Sequence, residues 1–273
     1  MGASPQSGGL KDGQAGGATR AVAVENAEGA GPFVFVCDHA SNFFPPPYDT
    51  SLGLSEEEKA EHIAWDPGAL GVARRLSKSL DAPLVYTAVS RLIIDCNREE
   101  TRADLIPCLS ETTQIAGNRD LSADEKAFRL NLVHRPFHKA IDRMLDRRLD
   151  RGLPTALVSV HSFTPVYKGK TRPWEIGLIS ESDRSLADPV LEALRTRGDL
   201  TVGDNQPYAP SDGVYYTIRR HGESRQLPCL MIEIRNDEVK TREQEGHWAE
   251  MLGPILSGAL APGSVGVSGG ADV

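Results

Sequence analysis

The stretch VSVHSF, residues 158–163, is an apolar run that carries a histidine where the run ends. Two further runs share this pattern: FVFVCDH at 33–39 also ends in a histidine, and LMIEIR at 230–235 holds a glutamate among aliphatic residues. Each run has the length and composition of a buried strand, in which a carboxylate is costly to bury. Three strands that each present a metal-ligating or proton-transferring group predict a hydrolytic zinc site in a parallel sheet. These groups are His161, His39 and Glu233.

Strand-like and helix-like segments alternate along the chain, which predicts an α/β fold of one domain. We expect a three-layer α/β/α architecture around a central mixed, mostly parallel sheet. The predicted strands cover residues 33–38, 83–88, 91–95, 155–160, 175–180 and 228–234. We predict four helices. The first begins at a Ser55 capping box, and the second runs from an Asp66 N-cap to about Leu80. The third covers residues 122–150 with a kink at Pro136, and the fourth covers about 239–260.

The ends of the chain differ in composition from its middle. Residues 1–30 are rich in Gly, Ala and Ser and lack the apolar segment of a secretory signal. We therefore predict disordered tails at 1–30 and 262–273, with a single domain at 31–261 between them.

Composition and charge exclude several classes of protein. The 273 residues carry a formal net charge of −8, which argues against a nucleic-acid-binding protein. The sequence has no apolar stretch of 18 residues, so we expect no membrane span. The four cysteines show no CxxC spacing, and three lie in apolar runs, which predicts reduced core thiols in a cytoplasmic protein.

Each candidate residue also has a structural interpretation. His39 and His161 are either metal ligands or histidines hydrogen-bonded at strand ends, and Asp38 is placed to orient the imidazole of His39. Glu233 is either a ligand or proton-transfer group, or one half of a buried salt bridge. Asp66 is explained as a helix N-cap unless other observations support it as a ligand.

Two arginine motifs are candidates for binding a substrate carboxylate. Asn97 and Arg98 follow the predicted strand at 91–95, where a guanidinium beside a carboxamide forms a fork for a carboxylate. Arg219 and Arg220 follow an aromatic pair and suit a substrate clamp. The alternatives are a loop-bracing arginine for the first motif and a solvated basic turn for the second.

His134 and His138 lie four residues apart on a predicted helix, a spacing that can chelate a metal. The glutamate of an HExxH motif is missing, because residue 135 is arginine. We interpret this pair as a packing feature of the kinked helix or as support behind the metal ligands.

Taken together, these segments resemble the N-formylglutamate amidohydrolase family. The matching stretches lie in order over residues 33–237 and comprise CDHASN at 37–42, WDPGA at 65–69, residues 90–98, HRPFH at 134–138, SVHSF at 159–163, and residues 216–222 together with Glu233. The chain is more distantly similar to zinc carboxypeptidases and aspartoacylase-like amidohydrolases, which implies a zinc-carboxypeptidase-like fold.

The resemblance implies one Zn²⁺, or another divalent metal, bound by His39, His161 and a third ligand. The distant relatives carry glutamate three residues after the first histidine, whereas this chain has Asn42, a poor zinc ligand. The third ligand is therefore Asp66 as the first choice and Asp38 as the second, unless Asn42 binds weakly through its amide oxygen.

The resemblance also implies roles for the remaining residues. Glu233 resembles the general base, Asn97 and Arg98 the pair that binds the α-carboxylate, and Arg219 or Arg220 would take a side-chain carboxylate. The implied reaction converts N-formyl-L-glutamate to formate and L-glutamate, as in histidine degradation, in a monomer or small homo-oligomer. The alternatives are a zinc amidohydrolase or peptidase for another N-acyl amino acid or small peptide, and an inactive carboxylate-binding protein.

Overall fold

Residues 21–261, the part of the chain that the computed structural model describes, contain one mixed sheet of seven strands and two short hairpins. The strands are β1 (Val22–Glu25), β2 (Phe33–Cys37), β3 (Leu84–Thr87), β4 (Leu109–Ser110), β5 (Thr113–Gln114), β6 (Ala156–Phe163), β7 (Val166–Tyr167), β8 (Lys170–Thr171), β9 (Ile176–Ile179), β10 (Val202–Asp204) and β11 (Cys229–Arg235). The order in the large sheet is β1-β3-β2-β6-β11-β9-β10. Only the β1–β3 and β9–β11 pairs of this sheet are antiparallel, so the predicted mixed, mostly parallel sheet is confirmed.

Helices cover both faces of the sheet. They are α1 (Tyr48–Ser51), α2 (Glu56–Ala60), α3 (Ala69–Ser79), α4 (Ala123–Arg129), α5 (Arg135–Asp150), α6 (Ala187–Arg197), α7 (Tyr216–His221) and α8 (Arg242–Ala259). Successive side chains of β2 point to opposite faces of the sheet and so contribute to two separate parts of the core. Phe33 and Phe35 pack with α3, α6 and α8, while Val34 and Val36 pack on the side of α5 and α7. This arrangement is the predicted three-layer α/β/α architecture.

The site-bearing strands β2, β6 and β11 lie side by side and parallel at the centre of this sheet. His161 pairs in register with Glu233 across β6 and β11. The alternation of both strands directs these two side chains to the face covered by α5 and α7. His161 lies inside β6, two residues before its end, whereas the sequence predicted that the strand ends at residue 160.

The predicted strand at 91–95 is wrong. The chain turns there: Ile93 N–H donates to Ser90 O at 3.1 Å, and Asp95 N–H donates to Leu105 O at 2.8 Å. The Ser90 hydroxyl accepts from Leu92 N–H, which favours the turn over an extended conformation. The apolar residues of this stretch are buried in the core on the α5 face, so the same pattern arises without a strand.

Three other boundaries differ from the predictions. Residues 21–30 are not a tail, because β1 pairs with β3 at the sheet edge; residues 1–20 and 262–273 of the predicted tails lie outside the described residues. Asp66 is not an N-cap: α3 begins at Ala69, and Gly68 occupies the cap position with φ 79°, a left-handed conformation. The helix predicted over 122–150 is interrupted by a π-helical turn, Leu130–His134, just before Pro136, which has no N–H to donate to a preceding carbonyl.

No helix within residues 21–261 is long and apolar enough to span a bilayer.

We predict that Arg148→Met lowers the free energy of unfolding by about 2–4 kcal/mol, because it removes the donors of several buried acceptors. The buried Arg148 guanidinium donates to the carbonyl oxygens of Gly29 (2.8 Å), Gly31 (2.5 Å) and Pro154 (2.9 Å) and to the Thr155 hydroxyl (3.0 Å). It therefore joins the segment before β2 to the segment before β6. Urea unfolding monitored by circular dichroism measures the change.

Arg151→Met is the matched control. Arg151 lies three residues further along and pairs with Glu28 at 3.2 Å, but both side chains are largely exposed. An exposed pair contributes little, so we expect a change within about 0.5 kcal/mol. Equal effects of the two substitutions would contradict a structural role specific to Arg148.

Candidate active site

A cavity of about 500 Å³ opens at the carboxyl ends of the central parallel strands, where open α/β sheets place ligands. Among the residues that line it are His39, Asp66, Arg91, His161, Arg172, Tyr208 and Glu233. Each central strand contributes: His39 follows β2, His161 lies in β6, Glu233 lies in β11, and Arg91 is in the loop after β3. The fold therefore brings the three groups of the opening sequence pattern to one place.

Asp66 joins the two histidines. Its Oδ2 atom lies 3.3 Å from Nδ1 of His39 and 2.7 Å from Nδ1 of His161. The loop that carries it is fixed by a backbone hydrogen bond from Asp66 N–H to His39 O (2.9 Å). A second bond runs from the Ser162 hydroxyl to Pro67 O (2.7 Å). Both imidazoles thus present their Nδ1 atom to one carboxylate oxygen, Oδ2 of Asp66.

These three residues suit a divalent metal. One ligand atom from each lies within 4.8 Å of the others, and all three residues are buried. The second nitrogen of each imidazole also faces a carboxylate: His39 Nε2 lies 2.7 Å from Asp95 Oδ1, and His161 Nε2 lies 3.2 Å from Asp38 Oδ2. Carboxylates behind metal-binding histidines fix the ring orientation and raise the basicity of the nitrogen that binds the ion.

The surrounding carboxylates control the protonation of the histidines. Burial and Arg91 lower the pKa of His39, but Asp95 and Asp66 outweigh them and raise it. Burial likewise lowers the pKa of His161, while its hydrogen bonds to Asp38 and Asp66 raise it well above its ordinary value. The carboxylates around the two histidines therefore favour positive charge beside Asp66, either as protonated imidazoles or as a bound cation.

The histidines in turn lower the pKa of a neighbouring carboxylate, that of Asp38. Burial raises the pKa of Asp38, but the hydrogen bond and charge of His161 outweigh burial and lower it to about 2. Asp38 also accepts from the hydroxyls of Ser159 (3.0 Å) and Thr217, so its orientation is fixed on both oxygens. Asp38 thus lies behind His161, whereas the sequence suggested that it orients its neighbour His39.

Glu233 differs from the other acids of the cavity. Its Oε2 atom is buried and has no hydrogen-bond partner in the described part of the chain. Burial raises the pKa of Glu233 more than His161 lowers it, and the result is about 7. A carboxyl group that titrates near neutral pH can take up and release a proton during a reaction.

Sequence reasoning missed Asp95 and Arg91. Asp95 accepts from His39 and from the Asn97 N–H (2.9 Å), and it also pairs with Arg91. Burial raises the pKa of Asp95, but Arg91 and His39 lower it well below its ordinary value. The signal that identified Glu233, an acidic residue in an apolar run, was also present at Asp95, but the turn that brings Asp95 to His39 was not predicted.

Asn97 and Arg98 line the cavity but are already engaged. The Asn97 side chain donates to Val214 O and accepts from Thr217 N–H at 3.0 Å, which leaves one N–H of its amide free. Arg98 donates to Asp104 Oδ2 at 3.0 Å and to Asn97 O at 2.9 Å. Both residues therefore brace the loop, and a substrate role for Arg98 competes with Asp104.

His134 and His138 lie behind this loop and do not line the cavity. His134 Nε2 is 2.8 Å from Arg98 O, and His138 Nε2 is 3.0 Å from Cys96 O. The distances fit N–H donors to both carbonyls, which holds the segment that carries Asn97. They therefore hold the loop that follows Asp95, whose carboxylate lies 2.7 Å from Nε2 of His39.

Three residues predicted to bind substrate or metal do not line the cavity. Arg219 pairs with Glu181 at 2.9 Å, and Arg220 donates to the Tyr216 hydroxyl at 2.8 Å. Asn42 donates to Lys59 O at 3.1 Å. The carboxylate that lies beside the two histidines belongs to Asp66, in a separate loop.

Two further cavity residues had no sequence signal. Arg172 and Tyr208 lie 36 residues apart in the chain, and Arg172 Nη1 donates to the Tyr208 hydroxyl at 3.0 Å. Neither lies in an apolar run or a recognisable motif. Only the fold of the β7–β8 hairpin and of the loop after β10 brings them together.

Known proteins are similar to this chain in sequence and in fold. The sequence model of the N-formylglutamate amidohydrolase family matches residues 31–239. The gene product Atu2144 from Agrobacterium tumefaciens is 41% identical with a TM-score of 0.86, over 88% of this chain and 95% of that chain. N-formylglutamate amidohydrolase from Ralstonia eutropha JMP134 shares the fold at 20% identity and a TM-score of 0.62, over 88% of this chain and 97% of that chain. A search of curated proteins found no significant match. The chain belongs to the N-formylglutamate amidohydrolase family.

Proposed function

We propose that this protein hydrolyses the amide bond of N-formyl-L-glutamate to formate and L-glutamate. The observation that carries the proposal is the convergence of His39 and His161 on Asp66 beside Glu233, whose Oε2 atom has no hydrogen-bond partner within residues 21–261. Membership of the family supports the reaction class. A cavity of about 500 Å³ suits a substrate of amino-acid size.

We propose that His39 Nδ1, His161 Nδ1 and the Asp66 carboxylate hold one Zn²⁺ or another divalent ion. Two imidazoles and a carboxylate are a donor set found in catalytic zinc sites. When bound, such an ion supplies Lewis-acid polarisation of the amide carbonyl and lowers the pKa of water at the site. Asp95 and Asp38 keep the imidazoles oriented through their Nε2 atoms.

Glu233 performs the proton transfers in this mechanism. Its carboxylate takes a proton from the water whose oxygen attacks the formyl carbon. The proton then passes to the amide nitrogen as the C–N bond breaks, which releases formate and the free amine of glutamate. Oε2 has no hydrogen-bond partner within residues 21–261, and burial raises the pKa of Glu233 to about 7; both support this role.

Arg98 and the free amide N–H of Asn97 are proposed to bind the substrate α-carboxylate. Both residues line the cavity, and the loop bonds that hold them fix their position in advance. Arg219 and Arg220 have no place in this mechanism, because neither lines the cavity. The unpaired state of all four cysteines fits a reducing compartment, and we propose a cytoplasmic location.

The alternative of an inactive carboxylate-binding protein rested on Asn42 in place of a ligating carboxylate. Asn42 is bonded to Lys59 O, away from the cavity, while Asp66 offers a carboxylate to both histidines. That observation removes the reason for favouring an inactive protein.

We predict that His161→Ala removes bound metal, because one of three ligands is lost. Elemental analysis of the purified protein should give about one equivalent of divalent metal for the wild type and much less for the variant. Asn42→Ala is the control and should keep its metal. Unchanged metal content in a folded His161→Ala protein would rule out the proposed ligand set.

Glu233→Gln should retain metal and fold yet lose activity by about 10²–10⁴-fold, because the amide cannot accept the proton. Formate release from N-formyl-L-glutamate measures the rate, and elemental analysis checks the metal. Turnover at the wild-type rate would show that Glu233 is not the base.

A substrate panel separates the proposed reaction from hydrolysis of related amides. We expect N-formyl-L-glutamate to give a higher kcat/KM than N-acetyl-L-glutamate, N-formyl-L-aspartate or a dipeptide. Higher kcat/KM for an acetyl or peptide substrate would replace the proposed reaction by the corresponding amidohydrolase or peptidase activity.

A further inference from the structure

The ionisable groups that line the cavity are nearly all paired. Asp66 contacts both histidines, Glu111 pairs with His62 at 3.3 Å, and Asp212 accepts from Ala209 N–H at 2.9 Å. The arginines Arg91 and Arg98 pair with Asp95 and Asp104. Within residues 21–261, Arg172 is the lining arginine that has no carboxylate partner.

Arg172 is held in place by groups that do not neutralise it. It is only 8% exposed, and its guanidinium carbon lies 4.5 Å from the ring centre of Tyr167, 4.7 Å from Tyr208 and 5.8 Å from Phe163. The aromatic rings stabilise the cation and restrict its movement. Its hydrogen bonds go to the Tyr208 hydroxyl (3.0 Å) and Thr164 O (3.5 Å), both through Nη1. The Nε and Nη2 groups have no partner among the described residues.

Tyr208 extends this arrangement toward the reaction centre. Burial and the charge of Glu233 raise the pKa of Tyr208 to about 12, so the hydroxyl keeps its proton at neutral pH. Its oxygen accepts from Arg172, and its own proton is then free to be donated into the cavity. Phe163, which ends β6 two residues after His161, contacts the same guanidinium.

We infer that Arg172, together with the Tyr208 hydroxyl, forms the subsite that binds the side-chain carboxylate of the substrate and selects an acidic amino acid. A guanidinium whose Nε and Nη2 atoms have no partner within residues 21–261 matches a carboxylate geometrically and electrostatically. The subsite takes the role that the sequence suggested for Arg219 or Arg220. The inference rests on the proposed function for the identity of the substrate, but the carboxylate preference is measurable without turnover.

Binding of L-glutamate and L-glutamine to the purified metal-loaded protein, measured by isothermal titration calorimetry, tests the inference. The two ligands differ only in the side-chain carboxylate. We expect the wild type to bind glutamate about 10- to 100-fold more tightly, as a hydrogen-bonded charge pair would provide. Arg172→Met should reduce this ratio to near one, and Arg172→Lys should keep part of it.

The ratio separates recognition from a structural effect, since general damage to the cavity weakens both ligands alike. Arg219→Met is the matched control, because Arg219 pairs with Glu181 outside the cavity, and it should leave the ratio unchanged. A wild-type ratio near one would overturn the inference whether or not the variants fold. A glutamate preference that survives Arg172→Met would overturn it as well.

The failures of the two proposals are distinguishable. If Arg172 controls the glutamate preference but no formate is released from N-formyl-L-glutamate, the subsite stands and the proposed reaction falls. If formate is released but the preference is independent of Arg172, the reaction stands and the subsite falls.

Discussion

The contact on which the site depends is the sharing of one carboxylate oxygen, Oδ2 of Asp66, between Nδ1 of His39 and Nδ1 of His161. All three groups are buried, and a buried charge is costly unless it is paired and hydrogen-bonded. The structure meets this requirement with further pairs, because Asp95 and Asp38 face the second nitrogens of the imidazoles. The result is a chain of alternating charges across the carboxyl ends of β2 and β6.

The sheet and its loops are arranged around this chain of charges. β2 and β6 are parallel neighbours, which brings His39 and His161 to the same end of the sheet. The loop before α3 is tied to that end by hydrogen bonds from Asp66 N–H and the Ser162 hydroxyl. On the other side, β3 leads into the turn that delivers Arg91 and Asp95, and His134 and His138 support the segment that follows. Hydrogen bonds thus fix the loop that carries Asp66 and the segment after Asp95 against their neighbours.

Two groups in the cavity, Glu233 and Arg172, have side-chain atoms without a hydrogen-bond partner within residues 21–261, and they divide the proposed function between them. We propose that Glu233 performs the proton transfers and that Arg172, in its aromatic surroundings, recognises the substrate. Tyr208 interacts with both groups: its hydroxyl accepts a hydrogen bond from Arg172, and the charge of Glu233 contributes to raising its pKa. Because most other charges of the cavity are paired within residues 21–261, these atoms are available to a substrate.

The sequence by itself determined the layered α/β fold, the strands that carry His161 and Glu233, and the position of His39 after a strand. These features follow from local patterns: apolar runs specify buried strands, and a polar group within such a run needs a role.

The sequence could not determine which groups meet. Asp66 had an adequate local explanation as an N-cap, Asp95 lay in a run that resembled a strand but forms a turn, and Arg172 and Tyr208 had no local pattern. Their positions depend on strand order and on loops that are distant in the chain. β3 follows β2 in the sequence, whereas β6, the other neighbour of β2 in the sheet, begins some 70 residues after β3 ends. Only the tertiary structure decided these contacts, because charges pair by proximity in space and not by spacing along the chain.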